Sequence, residues 1–277
     1  MRIGSTPDDA GSPRRRVGRV IPPLAGFVIA FMVMAGGPAR ADEIVAVYHA
    51  YWAGLPAGEI RLEMRDGAGS YSDRIEIRTE GLPRLVTHFR GAAQADGSLA
   101  PGRPAAPARY DALYNLRKRH DSRISMRFVG RGDARLAERG PRDTSRKPPL
   151  AERFRRDAVD PITAVERLRE AIAAESADRS FSIPVYDGAR RFDVIGRVLP
   201  QQDRTENVLH LELSLRPIAG FKGESSDDGD PDDAPRPVAV TLSDDPQLLP
   251  LSLRVRVFFL PLVVRLDHLC TGSACRG

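Results

Sequence analysis

Cysteine, lysine and tryptophan are scarce in this chain of 277 residues, with two, three and one of each. Two thiols and one nearby imidazole, His268, fall short of the four ligands of a structural zinc site, so no metal is expected. The five histidines, at 49, 88, 120, 210 and 268, show no metal-ligand spacing. There is no Gly-x-Ser-x-Gly elbow, no phosphate-binding loop and no His-Glu-x-x-His. Gly130-Arg131-Gly132 lacks the third glycine and the βαβ setting of a dinucleotide site. Glu59 and Glu63 share a face with Arg61 and Arg65, which suits solvent better than paired acid and base roles. No cofactor and no catalytic residue is therefore assigned, and the expectation is a protein that is not an enzyme.

A membrane-spanning run is also lacking. The apolar stretch Leu24 to Ala35 is shorter than the roughly 20 residues a spanning helix needs, and Pro22, Pro23 and Pro38 bracket it. With Arg14, Arg15, Arg16 and Arg19 before it and Ala39-Arg40-Ala41 after it, residues 1–41 read as a cleavable signal peptide. The apolar pair expected soon after a twin-arginine signal is missing, which favours the general secretory route. The expected location is the periplasm, with no transmembrane segment after cleavage.

Removing that segment changes the charge. Six of the 42 basic and two of the 37 acidic residues precede Asp42, so the remainder carries a net charge of +1 rather than +5. Nucleic acid is excluded as a partner, because binding it takes a concentrated basic face. The preference for arginine over lysine needs no recognition role, since a GC-rich genome accounts for it.

Alternation dominates what remains, and it points to a single antiparallel β domain over residues 42–277. Ile44 to Trp52 is apolar on both alternating faces, as in a strand covered on both sides. After the turn Gly54-Leu55-Pro56-Ala57-Gly58, Ile60, Leu62 and Met64 alternate with Glu59, Arg61, Glu63 and Arg65. Tyr71, Ile75 and Ile77 repeat the scheme, and opposite charges on the outer faces can pair across strands. Arg84 to Phe89 reads as a short helical turn and Gly97 to Pro107 as a loop. Arg109 to Arg117 and Ser122 to Val129 form a second hairpin, and Arg131 to Arg156 a solvated connection with at most a short strand near Arg135 to Glu138. Phe181 to Val185 and Phe192 to Val198 flank the turn dipeptide Asp187-Gly188. Further strands follow at Leu209 to Pro217, Val238 to Leu242 and Leu251 to Val257, with a bend at Pro261 and a last strand to Leu269. The aspartate-rich segment near 222–237 is expected to be disordered, and it lacks the glycine and glutamate offsets of a calcium loop.

One helix interrupts the strands, near 161–176. Asp160 serves as its cap and Pro161 fits the first position, where its missing N–H costs nothing. Ile162, Val165, Leu168 and Ile172 make an apolar stripe, with Glu166, Arg167, Arg169 and Glu170 largely off it. The fold expected is mainly β: a curled antiparallel sheet or open half-barrel of roughly ten strands, with this helix on its concave face.

Few residues suggest contact with a partner. Tyr186, Arg190 and Arg191 flank the Asp187-Gly188 turn, and their forked donors could clasp an anionic group. Trp52, beside Gly54-Leu55-Pro56, could line a cavity mouth, although the only tryptophan on an apolar strand is more often plain core. Cys270 and Cys275 could close a small loop in an oxidising compartment.

Four segments occur in order along the chain: Tyr48 to Glu59, Asp160-Pro161 opening the helix, Val185 to Phe192, and Arg216 to Phe221. Together they resemble the exported bacterial proteins grouped as domain of unknown function 3108. The resemblance implies a periplasmic antiparallel β protein without an established activity. Its arginine-rich connection and acidic loop look longer or more biased than the family's pattern. Two roles fit: binding a lipid or other amphiphile in a groove between sheet and helix, or binding another envelope protein as an assembly factor. A hydrolase of envelope polymers would need convergent carboxylates in a cleft.

Overall fold

Alternating side chains build the molecule into one long sheet. The computed structural model describes residues 42–81, 84, 89–117, 120–130, 133–140, 150–174, 180–200, 207–221, 236–257 and 259–271. The expected signal peptide, most of the Arg84 to Phe89 turn, the acidic segment as far as 235 and Cys275 lie outside these residues.

Thirteen strands are present among the described residues: β1 (Asp42–Trp52), β2 (Leu55–Gly67), β3 (Ser70–Thr79), β4 (Arg90–Ala100), β5 (Arg103–Arg117), β6 (His120–Val129) and β7 (Asp133–Gly140), then β8 (Ser180–Tyr186), β9 (Arg191–Val198), β10 (Val208–Ala219), β11 (Arg236–Ser243), β12 (Pro250–Val257) and β13 (Leu260–Thr271). Two helices lie between β7 and β8, the single turn α1 (Glu152–Arg155) and the longer α2 (Thr163–Ala173). All ladders are antiparallel, in the order β7-β6-β5-β4-β3-β2-β1-β13-β12-β11-β10-β9-β8. The first and last strands, β1 and β13, meet at mid-sheet, while β7 and β8 are the edges.

The sheet curls. Helix α2 touches both β5 and β8, which stand ten strand spacings apart in that order. On a flat sheet they would be roughly 50 Å apart, far beyond the reach of one helix about 10–12 Å across. One core cluster gathers Tyr71, Ala95, Tyr110, Ile124 and Met126 from β3 to β6 around Ile162, with Tyr186 from the opposite edge. Another gathers Leu211, Leu213, Val240 and Leu242 around Ile172. The helix thus lies on the concave face, as its pattern indicated, and the sheet is barrel-like without being closed.

The open edge of β8 is covered locally. Val159 bridges Val185 in parallel, with Val159 N donating to the Pro184 carbonyl at 2.9 Å and Tyr186 N to the Val159 carbonyl at 2.8 Å. The Asp187-Gly188 turn then reaches β6, where a Cβ on Gly188 would strike the Ile124 side chain. With φ near +92° at that residue, glycine is required on both counts.

Several boundaries differ from the sequence reading. Gly97 to Pro107 is not a loop but the two arms of a hairpin turning at Pro101-Gly102. Its small residues fit because Gly97 lies beneath the Tyr71 ring, which any Cβ there would meet. β10 continues past Pro217 to Ala219 through a register shift, which accommodates a residue without an N–H donor. Pro261 makes no bend and stands opposite Arg256, its carbonyl accepting from Ala53 N at 2.9 Å. The chain reverses one step earlier, at Phe259. Part of the segment expected to be a solvated connection is β7 and α1.

The helix itself starts later than read. Regular α2 opens at Thr163, and Asp160 caps the turn before it, its Oδ1 accepting from Ile162 N and Thr163 N at 2.9 Å each. Its polar side chains do not face solvent. Glu170 accepts from Ala105 N at 2.9 and 2.8 Å, and Arg167 Nε donates to the Ala105 carbonyl. Ala105 precedes the part of β5 that pairs with β6, so the helix supplies the partners a strand would have given.

Candidate functional site

The residues that open space under the helix are the small ones of β4. Gly91 and Ala93 stand on its inner face, between Ile77 and Ile75 of β3 and Tyr114 and Ala112 of β5. A low strand between taller neighbours leaves a trough. Pro161, Ile162 and Val165 roof it, Leu62, Met64 and Phe89 extend its walls, and the half-open cavity measures about 300 Å³. Nearly every lining group is apolar.

The exception is Asp73, at the cavity's boundary and only 2% exposed. Burial, with the nearby Glu166 carboxylate next, pushes its carboxyl up to about 8. Glu166, 4% exposed, is hydrogen-bonded to it, so the pair shares a proton at neutral pH with Asp73 as the acid. Arg65 N also lies 3.4 Å from Asp73 Oδ1. On its other side Glu166 takes Arg169 Nη1 on both oxygens at 2.9 and 3.0 Å, and Asp66 stands 3.6 Å from the same nitrogen.

Those charged groups form the wall between two spaces. Asp66, Glu166 and Arg169 border a larger cleft of about 970 Å³ beside the second half of α2, bounded also by Leu99, Phe181 and Leu248. Its helix side chains are already engaged, Glu166 with Arg169 and both Glu170 and Arg167 with Ala105. A second buried polar chain runs alongside: Tyr71 Oη and Thr163 Oγ1 are 2.5 Å apart, and Thr163 Oγ1 donates to Asp160 Oδ2. Burial pushes Asp160 up to about 6, against the pull of its hydrogen bonds. This chain holds the roof of the smaller cavity, because Asp160 caps the turn that carries Pro161 and Ile162.

The residues singled out in the sequence do not line that cavity; Trp52, Tyr186, Arg190 and Arg191 lie at one end of the sheet and Cys270 at the other. Tyr186 is fully buried against the β3 to β6 core. Arg190 pairs with Asp187 at 2.9 Å and lies over the Phe221 ring, 5.5 Å from its centroid. Arg191 pairs with Asp193, which also takes Arg216 at 2.6 Å. Trp52 closes the β1–β2 pairing opposite Leu55, with its Nε1 buried and unpartnered among the described residues. Cys270, on β13, is disulfide-bonded, and Cys275 lies outside the described residues.

The sequence reading passes over Asp73 and places Glu166 largely off the helix's apolar stripe. Both carried a signal: Asp73 has the parity of Tyr71, Ile75 and Ile77 on β3, and Glu166 stands four residues after Ile162. Among the described residues no group of three acidic, histidine or cysteine side chains is arranged to hold a metal ion. None of their helices is long and apolar enough to cross a membrane.

No family model matches the chain, and no curated protein matches it. Among solved structures it is similar to the crystal structure of a beta-barrel-like protein of domain of unknown function DUF1849 from Brucella abortus. The identity is 12%, the TM-score 0.52, and the match covers 85% of this chain and all of that one. The fold is beta-barrel-like.

Proposed function

We propose that this chain is a non-enzymatic envelope protein of the periplasm, related to the domain of unknown function 3108 proteins, that takes up the apolar part of a lipid or other amphiphile. The observation that carries this reading is the cavity between α2 and the inner face of β2 to β5. Its 300 Å³ stands at the lower end of the roughly 300–1,000 Å³ of small-molecule sites, room for one chain or ring and not for a whole multi-chain lipid. Its apolar walls reward burial of hydrocarbon, and the acid at its boundary is neutral at pH 7. Residues 1–41 and the motif resemblance support the exported setting. The alternative role, an assembly factor binding another envelope protein, fits a filled interior better than a hollow one.

Native mass spectrometry of the protein recovered from its own periplasm tests the reading, together with displacement of the apolar fluorophore N-phenylnaphthylamine. An adduct of amphiphile mass and displaceable fluorescence are expected. Both should be lost in Ala93→Phe, which fills the trough from its floor. Neither adduct nor displaceable fluorescence in a folded sample would overturn the proposal.

A further inference from the structure

Arginine is paired over much of the outer surface. Every arginine of β2, β3, β9 and β10 holds a carboxylate within ion-pair distance. The pattern fails for Arg90 on β4, Arg103 on β5 and Arg123 and Arg127 on β6, and again on β12 and β13. Arg254, Arg256 and Arg265 are exposed, and none has an ion pair among the described residues. Asp267, two positions beyond Arg265, is occupied by His268 at 2.7 Å and His49 at 3.7 Å.

The three share one face. Ser252 stands opposite Arg265, which makes Arg254 its diagonal neighbour at about 7–8 Å, and Arg256 follows on the same side of β12. Like charges set this close repel, so the grouping is unfavourable until an anion meets it. Beside it the turn between β12 and β13 lifts Phe259 to 84% exposure. The β1–β2 turn next to it, tied by the Ala53 N to Pro261 carbonyl bond, presents Leu55 at 50%.

We infer that this end of the β1–β13–β12 face docks on an anionic lipid bilayer. Phe259 and Leu55 enter the headgroup region, while Arg254, Arg256 and Arg265 meet lipid phosphates. Aromatic and aliphatic tips beside basic groups suit an interface that is apolar on one side and negatively charged on the other. Guanidinium forks match phosphate oxygens in pairs. An outer sheet face with protruding turns is the shape for a surface and not for an inserted peptide. The inference does not depend on the cavity being a ligand site.

Vesicle co-sedimentation of the protein recovered from its own periplasm tests it, with vesicles of phosphatidylcholine alone or mixed in equal parts with phosphatidylglycerol. The aspartate-rich connection between β10 and β11 is present in that chain, so its charge is part of the measurement. Binding only to the anionic vesicles is expected, weakening as salt screens the charges. Each arginine should contribute roughly fivefold to partitioning, and Arg254→Gln, Arg256→Gln and Arg265→Gln combined on the order of a hundredfold. Phe259→Ala should also weaken binding at an unchanged melting temperature, and the arginine variants should melt at or slightly above the wild-type temperature, because these side chains are exposed and the like charges repel. If the triple variant melts early, Arg265→Gln alone carries the comparison. Equal binding to both vesicle types, or undiminished binding by the arginine variants, would overturn the inference. So would capture by soluble polyglutamate without vesicle binding, which would assign the face to an acidic protein.

Discussion

Asp73 and Glu166 set a pH dependence that runs against the usual acid denaturation. Asp73 ionises near 3.8 in an unfolded chain and near 8 in the folded one. Between those values the folded state binds more protons, so stability declines as pH rises across that window. The contribution is fully present below 3.8 and gone above 8; Asp160 adds the same sign between 3.8 and about 6. Asp73→Asn keeps a donor toward Glu166 and an acceptor toward Arg65 N while removing the titration. Melting temperatures should therefore fall from about pH 6 to about pH 9 in the wild type and stay nearly level in the variant. Parallel profiles would show that Asp73 is ionised in the fold. Glu166→Ala is expected to behave differently, because it leaves Arg169, 16% exposed at its side chain, without its closest carboxylate and held only by Asp66 at 3.6 Å and the Gln247 carbonyl, with Asp73 near. Breaking such a pair costs about 3 kcal/mol or more, measurable as a lower denaturant midpoint at unchanged m.

At the level of elements, α2 depends on the turn before it. Asp160→Ala removes two hydrogen bonds to backbone N–H groups and leaves the Thr163 hydroxyl, itself the partner of Tyr71, without its buried acceptor. A cost of about 2 kcal/mol is expected, at the upper end for caps, with weaker fluorophore binding because Pro161 and Ile162 roof the cavity. Urea unfolding and probe titration of one sample check both; a stable variant with a shallower roof would separate them. Most strands were legible, since alternation such as Ile60, Leu62 and Met64 reports a half-buried strand directly. The turn end of the β4–β5 hairpin was not, because glycine, alanine and proline from Gly97 to Pro107 mimic a loop until the Tyr71 ring explains Gly97. Nor was the partnering of Arg167 and Glu170, which satisfy a backbone group some 60 residues away and leave no local trace. The cavity followed from what its strands lack, and a single sequence marks a missing side chain only as low hydrophobicity. Tyr186 beside the Asp187-Gly188 turn reads as a contact residue or a solvated hairpin tip, and its burial in the β3 to β6 core depends on the opposite edge of the sheet, which no local pattern shows.

For the whole molecule, the seam between β8 and the β5–β6 side is its weakest join. Everywhere else in the sheet, neighbouring strands share a ladder, whereas here Val159 and Val185 meet in one isolated bridge backed by Tyr186 and the Gly188 turn. Two backbone bonds hold it, against nine residue pairs along β1 and β13. Local opening follows the number of contacts broken, so the seam should open well before the sheet's centre. Hydrogen exchange read by mass spectrometry should show amides of 158–162 and 184–188 exchanging ahead of those of β1 and β13. Gly188→Ala, which meets Ile124 at a backbone angle alanine rarely adopts, should speed the first set and leave the second almost unchanged. Uniform exchange across both sets would mean that the sheet and its seam unfold as one unit.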